Sequence, residues 1–248
     1  MKAAQFVIAL ALACAAADCI AAAQAVLAVR PSGAAVPENL LRLSIVFAKR
    51  PERPVIPQLR LLRDDGSEVY EPFDTQELWS PDGHVLTVLF QPGRVKTGLV
   101  AHDTLGRALV AGEHVRLMLN EREIASWRVT NGNTESPDPD RWKIVPPHAG
   151  TRKPLSVELD NPVDAMDRDF IAVADPGGER VPGSATLSRG ETRWSFVPSK
   201  PWRDGAYTLM INGELEDSSG NRVGQQFEHG EASTGERPRD SSIPFRIW

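Results

Sequence analysis

Cysteine is nearly absent: the 248 residues hold only Cys14 and Cys19, both near the start. Beyond them the chain has no disulfide, no thiolate metal site and no cysteine nucleophile. Histidine is sparse as well. The five, at 84, 102, 114, 148 and 229, include no pair at the i, i+4 spacing of a zinc helix. There is no Gly-x-Ser-x-Gly elbow and no Gly-rich turn leading into a helix, which removes the usual nucleophile and phosphate cradle. Positive charge is not in excess either. Lys+Arg is 28 against Asp+Glu 33, net −5, so the electrostatic footprint of a nucleic-acid binder is missing. What is present is ordinary globular composition, 41% AVILMFWYC and 25% charged, with 20 prolines and 19 glycines. That mixture excludes wholesale disorder and disfavours long helices, and it predicts a turn-rich, mostly β chain.

Residues 1–25 read as a secretory signal peptide. Lys2 supplies the positive start, Phe6 to Ala13 the apolar stretch, and Ala21 to Ala25 the small residues of a cleavage site. The apolar stretch is short for a bilayer span, and Asp18 interrupts the alanine-rich sequence after it. Cleavage after Ala23 or Ala25 removes both cysteines. A second reading stays open: Ala11-Leu12-Ala13-Cys14 loosely resembles a lipobox, in which Cys14 would be lipidated and become the new N-terminus.

The remaining chain reads as a duplication. Residues 41–47 and 155–159 alternate apolar and polar, the period-two mark of a half-buried strand. Leu59 to Leu62 runs into Asp64-Asp65-Gly66, as Ile171 to Val173 runs into Asp175-Pro176-Gly177-Gly178, both turn chemistry. Val85 to Pro92 and Arg193 to Pro198 come next, each stopped by proline, then residues 112–120 and 205–212. The first copy carries a longer piece between its third and fourth segments (93–111), read as a surface loop, and residues 228–241 read as a hairpin loop. Residues 137–147, with four prolines, read as a stiff connector. Short strands at regular spacing with no intervening helices point to antiparallel sandwiches.

The second copy resembles the S-layer-type bacterial Ig-like domain. The likeness rests on Leu155-Ser156-Val157 leading to Pro162-Val163-Asp164, on Ile171 to Asp175 with Gly178, on Phe196-Val197-Pro198, on Gly205 to Leu209, and on the closing Asp217-Ser218-Ser219-Gly220-Asn221 turn. The first copy is similar but degenerate and has no counterpart of that turn. The resemblance implies an exported Ig-like sandwich that spaces or binds, and carries over no catalytic residue.

Three groups of residues stand out as candidate sites. Trp127, Trp142 and Trp202 lie at loops or in the connector and are candidate aromatic faces for a sugar, set against plugging or inter-domain packing roles. Asp160, Asp164 and Asp167, with Asp169, are weak calcium candidates, although their spacing is not that of a calcium loop and turn roles fit them better. His102-Asp103, in the extra loop of the first copy, is the best catalytic pair available and reads as a solvated pair. The sequence thus predicts an all-β, non-enzymatic protein without cofactor. Its parts are a signal peptide (1–25), a first Ig-like β-sandwich (26–136), a Pro-rich linker (137–147) and a second Ig-like β-sandwich (148–248). It would be exported, periplasmic or extracellular, as an envelope or extracellular structural or interaction module whose partner is an envelope protein or polysaccharide. The alternative is a carbohydrate-binding or lipid-anchored accessory protein of polysaccharide metabolism, with membrane contact only through Cys14.

Overall fold

A computed structural model describes residues 25–95, 104–225 and 239–248. The expected signal peptide, Cys14, the His102-Asp103 pair and residues 228–238 of the expected hairpin loop lie outside these.

Two β-sandwiches occur in succession along the chain. In the first, one sheet has the order β1 (Val26–Arg30), β3 (Arg42–Phe47), β6 (Val85–Leu89), β5 (Leu78–Trp79). The facing sheet has the order β2 (Ala35–Pro37), β8 (Arg122–Thr130), β7 (His114–Leu119), β4 (Leu59–Arg63). All neighbours are antiparallel except β2 and β8, which run parallel. In the second, β12 (Gly183–Ser188), β13 (Arg193–Pro198), β10 (Leu155–Glu158) and β9 (Lys143–Val145) form one sheet. The other is β11 (Ile171–Ala174), β14 (Gly205–Ile211), β15 (Ser241–Ile247). Lettered in chain order, the second sandwich has the ABED and CFG arrangement of a constant-type Ig domain. The first has the same arrangement, with its opening strand split so that β2 joins the opposite sheet beside the last strand.

Alternation explains why these segments pack. Leu43, Ile45 and Phe47 of β3 point inward and are buried, as are Trp194 and Phe196 of β13. The four segments that recur in the sequence are the second, third, fifth and sixth strands of each sandwich. In the second core an aromatic series runs Trp194, Phe196, Trp202, Tyr207, Phe245, with ring centroids 5.5–6.0 Å apart. The Tyr207 hydroxyl donates to the Arg203 carbonyl at 3.2 Å. A tyrosine near the start of the sixth strand bonded a few residues upstream is the tyrosine corner of Ig domains.

Two expectations change. The Pro-rich stretch 137–147 is part of the second sandwich rather than a stiff connector ahead of it: Pro139–Arg141 form a helical turn, β9 pairs with β10, and Trp142 is buried in the second core. Prolines are tolerated there because β9 is a three-residue edge strand that starts only at Lys143. The described part of 93–111 is not wholly at the surface. Val95, Ala108 and Leu109 are buried, and the buried Arg94 donates to the carbonyls of Gly106 (2.7 Å), Tyr70 and Arg107, tying the insertion down.

Candidate functional site

The sandwiches meet through loops, and the junction gathers most of the buried polar side chains. At its centre is Asp217, 1% exposed, which opens the turn after β14. Its Oδ1 accepts from the backbone N–H groups of Ser219 (2.8 Å) and Asn221 (2.9 Å). Its Oδ2 accepts from Asn221 Nδ2 (2.8 Å) and, across the junction, from Asn133 Nδ2 (2.7 Å). Four donors thus converge on one carboxylate, which pre-shapes the turn as an Asx turn and docks it at once. Asn39 of the first sandwich closes the knot. Its Nδ2 donates to the Asn133 carbonyl, and its Oδ1 accepts from Asn133 N (2.8 Å) and Ser219 Oγ (3.2 Å). Backbone joins in where Leu41 N donates to Ser218 O at 3.0 Å.

Two ion-pair clamps flank the knot. Arg42, at the start of β3, donates through Nε to Asp164 (2.6 Å) and through Nη2 to Glu216 (2.8 Å). Burial alone would lower the Arg42 pKa; the two carboxylates outweigh it and hold the guanidinium charged. Glu191, 1% exposed, accepts from Arg30 Nη1 (2.8 Å), Ser32 N (2.8 Å) and Ser32 Oγ (2.7 Å). Glu191 itself sits at φ +62°, a left-handed conformation that costs energy in a side-chain-bearing residue and aims its carboxylate across the junction. Beside it the backbones nearly touch: a Cβ on Gly190 would lie 3.0 Å from the Gly33 Cα.

Burial shifts two carboxyls. Asp167, in the helical turn Ala165–Phe170, is pushed up to about 6 by burial, with Asp164 adding to the rise and the Glu216 N–H opposing it. Asp217 is also pushed up to about 6 by burial, against the N–H donors around it.

The candidate residues fall in separate places. Trp127, Trp142 and Trp202 are 2, 7 and 3% exposed, so none offers a ring face to a ligand. Their indole N–H groups donate to Pro31 O, Asp160 Oδ1 and Lys153 O, which satisfies the polar edge of each buried ring. Trp142 packs within the second core rather than between the sandwiches. Asp160 stands with Trp142 and the Asp138 N–H, away from the junction. Asp164 is bound to Arg42 and caps the helical turn through Met166 N, while Asp167 accepts from Glu216 N. The calcium candidates are therefore split between two sites, and no group of three or more His, Cys, Asp or Glu suited to a metal occurs among the described residues. Sequence reasoning passes over Asn39, Asn133 and Glu191. The Asp-x-x-Gly-Asn signature is the one visible sign of the junction.

Strand order and the tyrosine corner define the class: a tandem Ig-like β-sandwich protein. No family model matches the chain, and no curated protein matches it. Among solved structures, it is similar to domains 4–9 of the surface layer protein SbsC, at 10% identity over 90% of this chain and 31% of that one, TM-score 0.25. It is also similar to the Group B Streptococcus pullulanase SAP (8%, 76% and 22%, TM-score 0.25) and to the tandem Ig repeats of Dlar (14%, 75% and 87%, TM-score 0.23). The chain spans about a third of the SbsC chain it matches. No helix among the described residues is long and apolar enough to cross a membrane.

Proposed function

We propose that the chain is an exported, non-enzymatic module of the cell envelope or extracellular space, resembling the S-layer-type Ig-like domains, that holds two sandwiches at a fixed angle for structural or binding purposes. The observation that carries this reading is the Asp217 knot. A buried carboxylate with four donors from both sandwiches stabilises one docked arrangement and leaves unpaired polar groups in any other. Of the acidic residues that sequence alone offers as a metal site, Asp164 and Asp167 are engaged beside this joint and Asp160 holds the Trp142 indole and the Asp138 N–H, which supports a role in shape. The charged-apolar-small order of residues 1–25 supports export.

Small-angle scattering of the purified chain tests the shape, and N-terminal sequencing after cell fractionation tests the export. A single docked envelope is expected, with a mature chain outside the cytoplasm starting near Gln24 or Val26. A broad distribution of inter-domain distances overturns the fixed-module reading. A cytoplasmic chain still carrying Met1 overturns the export reading, and a lipid-modified Cys14 replaces soluble export with anchoring.

A further inference from the structure

Beside the joint, the outer face of the first sandwich's β5–β6–β3 sheet and the helical turn Ala165–Phe170 enclose an open groove. It has two lobes, of about 330 and 530 Å³, within the size range of ligand sites. Leu78, Trp79 and Leu89 from the first sandwich and Met166 and Phe170 from the second line the larger lobe. Met166 and Phe170 lie one turn apart and remain 45 and 37% exposed, in a chain whose other large apolar residues mostly enter the two cores. The same lobe carries a wall of carboxylates, Asp167, Glu214 and Glu216, together with the Arg42 guanidinium.

The charge count around that wall does not balance. Asp82, Asp167, Asp169, Glu214 and Glu216 line the two lobes, five carboxylates against three guanidinium groups, Arg30, Arg42 and Arg168, with Arg222 bound to Glu214 and Glu216 from beside them. Arg42 takes Asp164 and Glu216, while Arg222 takes Glu214 and Glu216. Asp167 makes no ion pair among the described residues; its one hydrogen bond is from Glu216 N. The groove therefore repels anions and attracts cations. A long basic side chain suits both surfaces, because its aliphatic stem can lie on the apolar floor while its head reaches the carboxylates. Trp79 lies at the edge of the lobe, packed on Phe47 of the first core and covered by the Arg50 guanidinium 4.7 Å from its centroid, so its ring is already engaged.

We infer that this groove binds an extended peptide segment in which Lys or Arg alternates with apolar residues, the basic heads at Asp167 and Glu214 and the apolar side chains against Leu78, Leu89, Met166 and Phe170. This deepens the reading of the chain as a binding module and rests on it.

The test uses fluorescence anisotropy with the full mature chain and three labelled octapeptides: alternating Lys-Leu, alternating Glu-Leu, and alternating Lys-Ser. Saturable binding of the Lys-Leu peptide is expected, about tenfold or more tighter than either control and weakened by added salt. Asp167→Asn with Glu214→Gln should weaken it about tenfold, and Met166→Ser should bring Lys-Leu towards Lys-Ser. Should the double variant not fold, Glu214→Gln alone, at a partly exposed position, carries the same expectation at smaller size. Equal affinity for Lys-Leu and Glu-Leu, no binding of any peptide, or acidic-wall variants that bind like the parent overturns the inference. Scattering separates the two claims. A docked, exported chain that ignores basic peptides leaves the module standing without this ligand, whereas a flexible pair of sandwiches removes the groove and the module together.

Discussion

Asp217 concentrates more of the architecture than any other residue. It shapes its own turn through two backbone N–H groups and reaches the other sandwich through Asn133. Asp217→Asn keeps the size but replaces one acceptor oxygen with an NH₂ that must face donors already in place. Unpaired buried donors cost about 1–3 kcal/mol each, so the full chain should lose stability in that range, read from urea titration at pH 7. A loss below about 0.5 kcal/mol, the scale of an ordinary surface change, would mean the knot is not formed. Little of this is legible in the sequence. The Asp-x-x-Gly-Asn pattern announces a turn, but its partners Asn39 and Asn133 lie far away along the chain, Ser219 and Asn39 being 180 residues apart. Short polar residues in loops read as solvated unless something distant covers them.

Among elements, the strands with strong alternation are readable and those without it are not. β3, β6, β10 and β13 declare themselves by apolar residues at every second position. β12, Gly-Ser-Ala-Thr-Leu-Ser, has only Ala185 and Leu187 turned towards the core and hides among turn residues. β9 is masked by the prolines that precede it. The helical turn Ala165–Phe170 likewise reads in the sequence as an acidic stretch of turns, and its position between the sandwiches gives it a pH response. Burial raises the Asp167 carboxyl to about 6, and Asp217 behaves in the same way. The folded chain therefore holds these protons more tightly than the unfolded one. Their contribution to stability is present at low pH and lost as pH rises through about 6. The melting temperature should climb as pH falls from 7.5 to 5, and Asp167→Asn should flatten part of that slope. A profile that is level in the parent, or as steep in the variant, would show that Asp167 is not buried as described.

At the scale of the molecule, the two sandwiches have separate apolar cores but share one buried polar joint. Ion pairs at Arg30 and Arg42 add to it, each with a carboxylate partner that is nearly fully covered. Unfolding either half forfeits these pairs and the shared joint for both, which couples the two transitions. Calorimetry of the full chain should therefore give one transition, with calorimetric and van't Hoff enthalpies in agreement. Asp217→Asn combined with Arg42→Ala should split it into two. Two transitions in the parent would mean that each half unfolds without regard to the other.

The parallel pairing of β2 with β8 has a mechanical meaning. Arg128 N bonds to Ala34 O, and Glu38 N to Thr130 O, so the entering and leaving segments of the first sandwich are stitched side by side. Tension applied through the two ends of that sandwich pulls these strands in opposite directions along their length, and the stitches bear the load together. The second sandwich has one counterpart of these stitches among the described residues, Ala149 N bonded to Trp248 O at 3.0 Å, and no strand pairing there. Its first strand, β9, is bonded to β10, and its last, β15, to β14. Under traction the first sandwich is the stiffer link, and the second is the one that yields.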